Sequence, residues 1–302
     1  MIQESAGTGR LFKRTSSVGD VLFKNLTLLF ALSVLGLAFW IALELVKNSG
    51  LSMHKFGWSF LWRRTWNPVM EDFGALPFIY GTLVSSAIAL VIAIPLGLGV
   101  AIFLSELAHP TVADWISFLT ELLAAIPSVV YGLIGVFVLV PWMRKLGAPY
   151  GVGMLTAGIV LAVMILPFIA SISREVFQTV PQSMKESAIS LGATRWEVLW
   201  MVTLPFARSG IMGSVFLALG RALGETMAVT MVIGNRPEIK LSLFQPGYTM
   251  AAVIANEFTE AATDLYAHTL IEIGVVLLGI TVIVNGIARW MVYRLTEKAA
   301  ET

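Results

Sequence analysis

Arg221 and Glu225 stand four residues apart in the stretch GRALGETMAV, inside a long apolar run. On a helix that spacing puts both side chains on one face, a turn apart, where they can pair. An arginine held at mid-membrane costs roughly 2.5 to 3.5 kcal/mol on insertion scales, and pairing offsets only part of that. A guanidinium presents five donors in a planar fork, which suits a partly dehydrated oxyanion. Two uses are open on these residues alone: an anion path in which Glu225 keeps Arg221 ready, or an interhelical salt bridge that fixes packing. Gly220 and Gly224 have the G-x-x-x-G spacing that lets another helix come close, and Thr226 adds a hydroxyl beside the acid.

A second constellation is the polar stretch from Pro181 to Pro205, PQSMKESAISLGATRWEVLWMVTLP. Ser183 with Glu186, and Thr194 with Glu197, each have the S/T-x-x-E spacing of a capping box. Gly192, between them, tolerates a left-handed turn. The pattern predicts a short helix near 184–191, a glycine turn, and a second short helix that stops at Pro205. Such a knob is too short to span a bilayer. It fits either insertion into a groove on a soluble partner or a passive connector on the headgroups.

The elements that must hold these residues are membrane spans. Of 302 residues, 57% are hydrophobic and 13% charged, with a mean hydropathy of +0.82, far from the soluble range. The chain is expected to be an all-α integral membrane protein with six transmembrane helices. A formal net charge of +1 leaves no basic surplus for a nucleic-acid partner. With no cysteine and three scattered histidines, His54, His109 and His268, no metal site is expected. No G-x-x-x-x-G-K-[ST] occurs, so the chain holds no phosphate loop for a nucleotide. No H-E-x-x-H or cysteine nucleophile supplies a catalytic set, and an enzymatic role is not expected.

In order, 1–24 reads as a cytoplasmic tail with Arg10, Lys13, Arg14 and Lys24. A single transmembrane domain then covers 25–293, and a short tail, 294–302, ends the chain. The expected spans are 25–46, 76–104, 116–140, 151–172, 206–233 and 268–292. Between them lie an outer loop at 47–75, the knob loop at 181–205, and an outer loop at 234–267. Trp58, Trp62 and Trp66 in the first outer loop suit the headgroup layer. Pro95, Pro127 and Pro167 interrupt three successive spans, a pattern tolerated where protein or a water-filled cavity receives the freed polar groups. Pro127 stands next to Ser128, which joins Arg221, Glu225 and Thr226 as a candidate pathway residue. Placing both tails and the knob loop inside gives about eleven basic residues inside against about eight outside, the sign the positive-inside rule expects.

Glu186, Ser187, Ala188, Gly192, Val202, Leu204 and Pro205 resemble, at their spacing, the EAA signature of ABC-importer permeases, with Ser187 for the usual Ala and Val202 for the usual Ile. RALGETMAV, YGTLVSSAIALVIAIPLGLGVAIFLSEL, IPSVVYG and NEFTEA are similar to stretches of PstC-type permeases of bacterial phosphate importers, over about residues 75–295. The resemblance implies a type I ABC importer permease fold, with a cytoplasmic coupling helix between spans 4 and 5. It implies a heterodimer with a PstA-type permease, a dimer of PstB-type ATPases that bind the ATP and Mg, and a periplasmic or extracellular phosphate-binding protein. It also places the chain in the bacterial cytoplasmic membrane, among lipid, with both termini cytoplasmic and with phosphate passing near Arg221 and Glu225. The other readings are a permease for phosphonate, molybdate or sulfate, which would share the knob, and an ion-driven secondary carrier. A carrier is expected to show internal repeats and more than one intramembrane acid, and neither is found in the sequence.

Overall fold

The computed structural model describes residues 18–300, with side chains over 19–294. The expected tail residues 1–17, with Arg10, Lys13 and Arg14, lie outside the described residues, as do 301 and 302. Contacts divide the chain into two units, Met1–Glu44 and Leu45–Thr302. In the first runs most of α1 (Val18–Asn48), whose apolar window has a mean hydropathy of 2.4 and is not buried at all in this chain. An apolar helix of this length suits a membrane span.

The second unit carries the remaining helices. In order these are α2 (Gly50–Phe56), α3 (Leu76–Ile102), α4 (Pro110–Ala125), α5 (Ser128–Ile134), α6 (Val140–Lys145) and α7 (Met154–Gln178). Then come α8 (Gln182–Ser190), α9 (Arg195–Val198), α10 (Leu204–Leu223), α11 (Met227–Ile233), α12 (Met250–Glu257) and α13 (Asp264–Ala300). Six helical segments among the described residues are long and apolar enough to cross a membrane: 19–48, 76–107, 128–145, 154–178, 195–223 and 264–294.

Of three π-turns among the described residues, Phe103–Leu107 ends α3 ahead of an extended Ala108 and His109, whereas Gly135–Leu139 and Leu199–Thr203 join helices end to end, each just before a proline, Pro141 and Pro205. A proline removes one donor and pushes its ring against the carbonyl four residues back. A wider turn with i→i+5 bonds takes up that mismatch without opening the helix to lipid. The second short helix of the knob therefore does not stop at Pro205 as the sequence suggested. It runs through the third π-turn into α10, with Pro205 in its first turn.

Two expected spans are broken. The run at 116–140 divides at Ile126–Pro127, both extended (ψ 130° and 139°), so α4 is a separate amphipathic helix and the qualifying span begins at Ser128. The residue before a proline is driven out of the helical region, which stops α4 there. The run at 206–233 divides at Gly224, where α10 ends, and resumes as α11.

The core is one apolar cluster between α3, α7, α10 and α11, including Ala89, Leu161, Ile165, Ala218 and Val232. Small residues let α3 and α7 lie close along their length. A second cluster joins Phe56, Phe60, Phe78, Tyr248 and Tyr266 at the amino-terminal end of α3. It includes Phe73 of the hairpin formed by β1 (Trp66–Asn67) and β2 (Asp72–Phe73). Trp58 and Trp62 are exposed as a headgroup belt requires, whereas Trp66 turns inward onto Phe73 and donates to Glu257 Oε2 at 2.9 Å.

A Cβ added at Gly158 would meet Ile88 Cγ2 at 2.5 Å and Cβ at 2.7 Å, while one at Gly213 would meet nothing within 4 Å. Overpacking of that kind costs about 1–3 kcal/mol. Gly158→Ala should lower the thermal midpoint of the detergent-solubilised protein, and Gly213→Ala should leave it level or raise it. Equal midpoints for the two variants would contradict the packing described.

Candidate functional site

Arg221 lies in the last turn of α10, at the point where that helix gives way. Its guanidinium sits 4.3 Å from the centre of the Phe168 ring. Phe168 is fourteen residues past the start of α7, so about 21 Å down that helix at 1.5 Å per residue. That depth is the middle of the span. Cation over ring face is favourable and leaves the outward donors of the fork unused.

The expected Arg221–Glu225 pair is not formed. Helix α10 stops at Leu223, so the four-residue spacing no longer places the two side chains on one face. Instead Glu225 Oε1 accepts the Ala228 amide at 3.2 Å and so satisfies a free donor of α11, a favourable place for an acid. No carboxylate comes within 4.0 Å of Arg221 among the described residues. Thr226 lies in the same break, its Oγ1 donating to the Gly224 carbonyl at 3.2 Å and its carbonyl accepting from Thr230 Oγ1.

The other broken span meets this one. Ser128, half-buried, opens α5, and Tyr131 one turn on donates from its hydroxyl to the Leu123 carbonyl at 2.6 Å, bridging the break at Pro127. Pro127 has no N–H to give that carbonyl, which takes the Ile126 amide at 3.3 Å instead, and the phenol adds a second bond. Helices α5 and α11 run against each other so tightly that a Cβ at Gly132 would meet Met231 Sδ at 2.6 Å and Ala228 Cα at 3.1 Å. Arg221, Glu225, Thr226 and Ser128 are thus gathered around two helix breaks, with Phe168 and Tyr131 as members that span-level reading missed. Gly220 has nothing within 4 Å of its missing Cβ, and Gly224 only the Gly220 carbonyl at 3.9 Å. Among the described residues no helix fills the G-x-x-x-G face, and it stays open beside an exposed Arg221.

The knob is built as α8, a turn at Gly192 with φ +94°, and α9. The capping box at Thr194 forms: its Oγ1 accepts the Glu197 amide at 3.3 Å and Glu197 Oε2 accepts the Thr194 amide at 2.7 Å. The one expected at Ser183 does not, because α8 starts two residues early, at Gln182, with Pro181 as its cap. Ser183 is then already inside the helix, where its carbonyl accepts from Ser187 Oγ. Of the signature residues, Glu186, Ser187 and Gly192 are exposed and Ala188 is half-buried, whereas Val202 and Leu204 pack against Ala101, Phe177, Val180, Ala207 and Ile211. One end of the signature is presented and the other anchors it. Sequence reasoning also passed over Glu272, visible in the sixth apolar run. It is 5% exposed, engages Ser52, and leaves Oε2 without a partner.

Residues 93–297 match the family described as binding-protein-dependent transport system inner membrane component. The chain belongs to that family, and it is a multi-pass inner-membrane transport component. Its fold is shared with the alginate ABC transporter solved with an alginate pentasaccharide-bound periplasmic protein (TM-score 0.62, 15% identity, 89% of this chain and 96% of that one). It is shared also with the MetNI methionine ABC transporter in an inward-facing form (TM-score 0.56, 17% identity, 74% and 94%). Among curated relatives, the phosphate transport system permease protein PstC of Mesorhizobium japonicum is 48% identical, over 94% of this chain and 93% of the relative. The protein of the same name from Pasteurella multocida is 46% identical, over 92% and 93%.

The two roles open to Glu225 separate cleanly. As a cap it tolerates Glu225→Gln, which keeps an acceptor, while Glu225→Ala should raise amide exchange at Ala228 by about fivefold, the loss of a cap being about 1 kcal/mol. As an ion-pair partner it would lose as much to Gln as to Ala. Hydrogen exchange at Ala228 in the purified protein decides between them.

Proposed function

We propose that the chain is the membrane-spanning, channel-forming subunit of an ATP-driven importer of inorganic phosphate, working by alternating access. The observation that carries this reading is the guanidinium at mid-depth with no carboxylate beside it, set where two broken helices meet. A cation neutralised by an acid would not draw an oxyanion, whereas one resting on an aromatic ring has donors to give. Ser128, which opens α5 at the adjoining break, supplies a further hydroxyl. The phosphate transport permeases that this chain resembles over nearly its whole length support phosphate as the substrate.

In this reading α8 faces the cytoplasm and docks through Glu186, Ser187, Ala188 and Gly192 on a PstB-type ATPase, which binds the ATP and Mg. Both termini lie on that same side. The open G-x-x-x-G face beside Arg221 receives a PstA-type permease, and a phosphate-binding protein delivers the ion at the other end of the bundle. The ion is driven by a difference in affinity between the two states of the path, not by tight binding in either. The chain itself makes and breaks no bond and needs no cofactor of its own. Glu272 adds a second intramembrane acid, but it sits beside Ser52, away from the breaks, so it gives the carrier reading no path.

Arg221→Gln in the whole importer, reconstituted in vesicles, should cut ATP-driven phosphate uptake by at least about tenfold, as loss of a charged hydrogen bond predicts, while the subunits still co-purify. Failed assembly would assign Arg221 to packing instead, and sulfate competing as well as phosphate would assign the path to another oxyanion. Glu186→Ala and Gly192→Val should leave the amount of complex unchanged and lower phosphate moved per ATP hydrolysed. Normal coupling in both variants would remove α8 from the docking role.

A further inference from the structure

The helix α8 buries none of its residues and packs chiefly on α9 and the π-turn after it. Its tie to α3 is polar. Lys185 Nζ lies 2.6 Å from Glu106 Oε1, with the two side chains only 12% and 21% exposed. The other ion pairs among the described residues each have at least one partner more than a third exposed. Glu106 belongs to the π-turn Phe103–Leu107 that prolongs α3. Around this contact a cavity of about 550 Å³ opens, lined by Ile102, Ser105, Glu106, Lys185, Ile189 and Trp196 among others. An apolar seat would have fixed α8 to the body by many weak contacts. Here a gap is crossed by one short, charge-assisted hydrogen bond, directional and strong for its size.

We infer that the Lys185–Glu106 pair is the strut through which displacement of α8 reaches α3, which makes both of them positioning residues of the transport cycle. The inference rests on the reading of α8 as the ATPase-docking helix. A push on α8 arrives at the end of α3, and the most extensive helix packing among the described residues is that of α3 on α7. Helix α7 carries Phe168, on which Arg221 rests. The π-turn gives the end of α3 a place to yield, since its bonding can revert to the ordinary ladder as the turn moves. A cavity beside the strut leaves room for that travel, which a packed core would not allow.

The test is a charge-reversal cycle in the reconstituted importer, read as phosphate moved per ATP hydrolysed and as stimulation of hydrolysis by the phosphate-loaded binding protein. Lys185→Gln and Glu106→Gln should each lower phosphate per ATP by at least about fivefold, the lower end of measured coupling between sites, with basal hydrolysis unchanged. The double variant Lys185→Glu with Glu106→Lys should recover to within about twofold of wild type. Lys185→Arg, which keeps the charge if a single variant assembles poorly, should stay near wild type. Unchanged ratios in the single variants, a reversed pair that recovers nothing, or Lys185→Arg as impaired as Lys185→Gln would each overturn the strut. Wild-type vesicles lacking ATP-driven phosphate uptake would overturn the functional reading itself, whereas normal wild-type uptake with unaffected variants removes the strut alone.

Discussion

A peptide group in hydrocarbon has only the rest of the chain to bond with, so a helix can be interrupted in a membrane only where something else takes its place. That constraint orders this structure. Most prolines of the spans are absorbed: Pro95, exposed, and Pro167, buried, stay inside α3 and α7, and Pro141 and Pro205 follow π-turns that keep the ladder running. Where protein can answer, the chain does break, at Pro127 and at Gly224. At the first break the Leu123 carbonyl takes the Ile126 amide and the Tyr131 hydroxyl, and the Ala228 amide freed by the second takes the Glu225 carboxylate. The two breaks adjoin through α5 and α11, so the non-helical backbone is concentrated in one region, and Arg221 stands at its edge.

The apolar runs made the six spans legible, because span length is a direct image of bilayer thickness. The presented half of the knob was legible for a similar reason: Gly192 and the Thr194–Glu197 box are local devices whose partners lie within a few residues. What local pattern could not say is which of two identical signals acts. Ser183–Glu186 and Thr194–Glu197 have the same spacing, and Pro181 decides between them by starting α8 before Ser183 can cap it. Likewise Pro95, Pro127 and Pro167 are the same residue in similar runs. Only Pro127 ends a helix, and Tyr131 reaching back across the break is a tertiary fact. The Arg221–Glu225 pairing failed for a reason that was in view, since a glycine at 224 weakens the helix that the pairing assumed. Lys185 and Glu106 are 79 residues apart, beyond any periodicity.

The failed pairing is also the most informative departure. Had α10 continued through Glu225, the acid would have stood one turn from Arg221 and neutralised it, lowering the cost of insertion and removing the attraction for an anion. Ending the helix at Leu223 gives up backbone bonds in a place where they are dear, and recovers part of the loss by using the same carboxylate to cap α11. One residue thus spares the arginine its counter-ion and repairs the break that keeps it apart. The aromatic face of Phe168 then stabilises the cation without supplying a negative charge.

The distribution of burial across the signature region extends the same logic to motion. A docking element moved by an external motor must be stiff internally and joined to the body in few places, or the displacement is lost in soft packing. The Thr194–Glu197 box and the anchored Val202 and Leu204 make the region stiff at its carboxyl-terminal end. At the other end α8 is bare, bordered by a cavity and held across it at Lys185. The charge at mid-depth and the charge under the knob therefore stand in opposite situations. On the function proposed, Arg221 is kept from any carboxylate so that a mobile ion can serve as its partner, while Lys185 is locked to one so that its helix and α3 respond together.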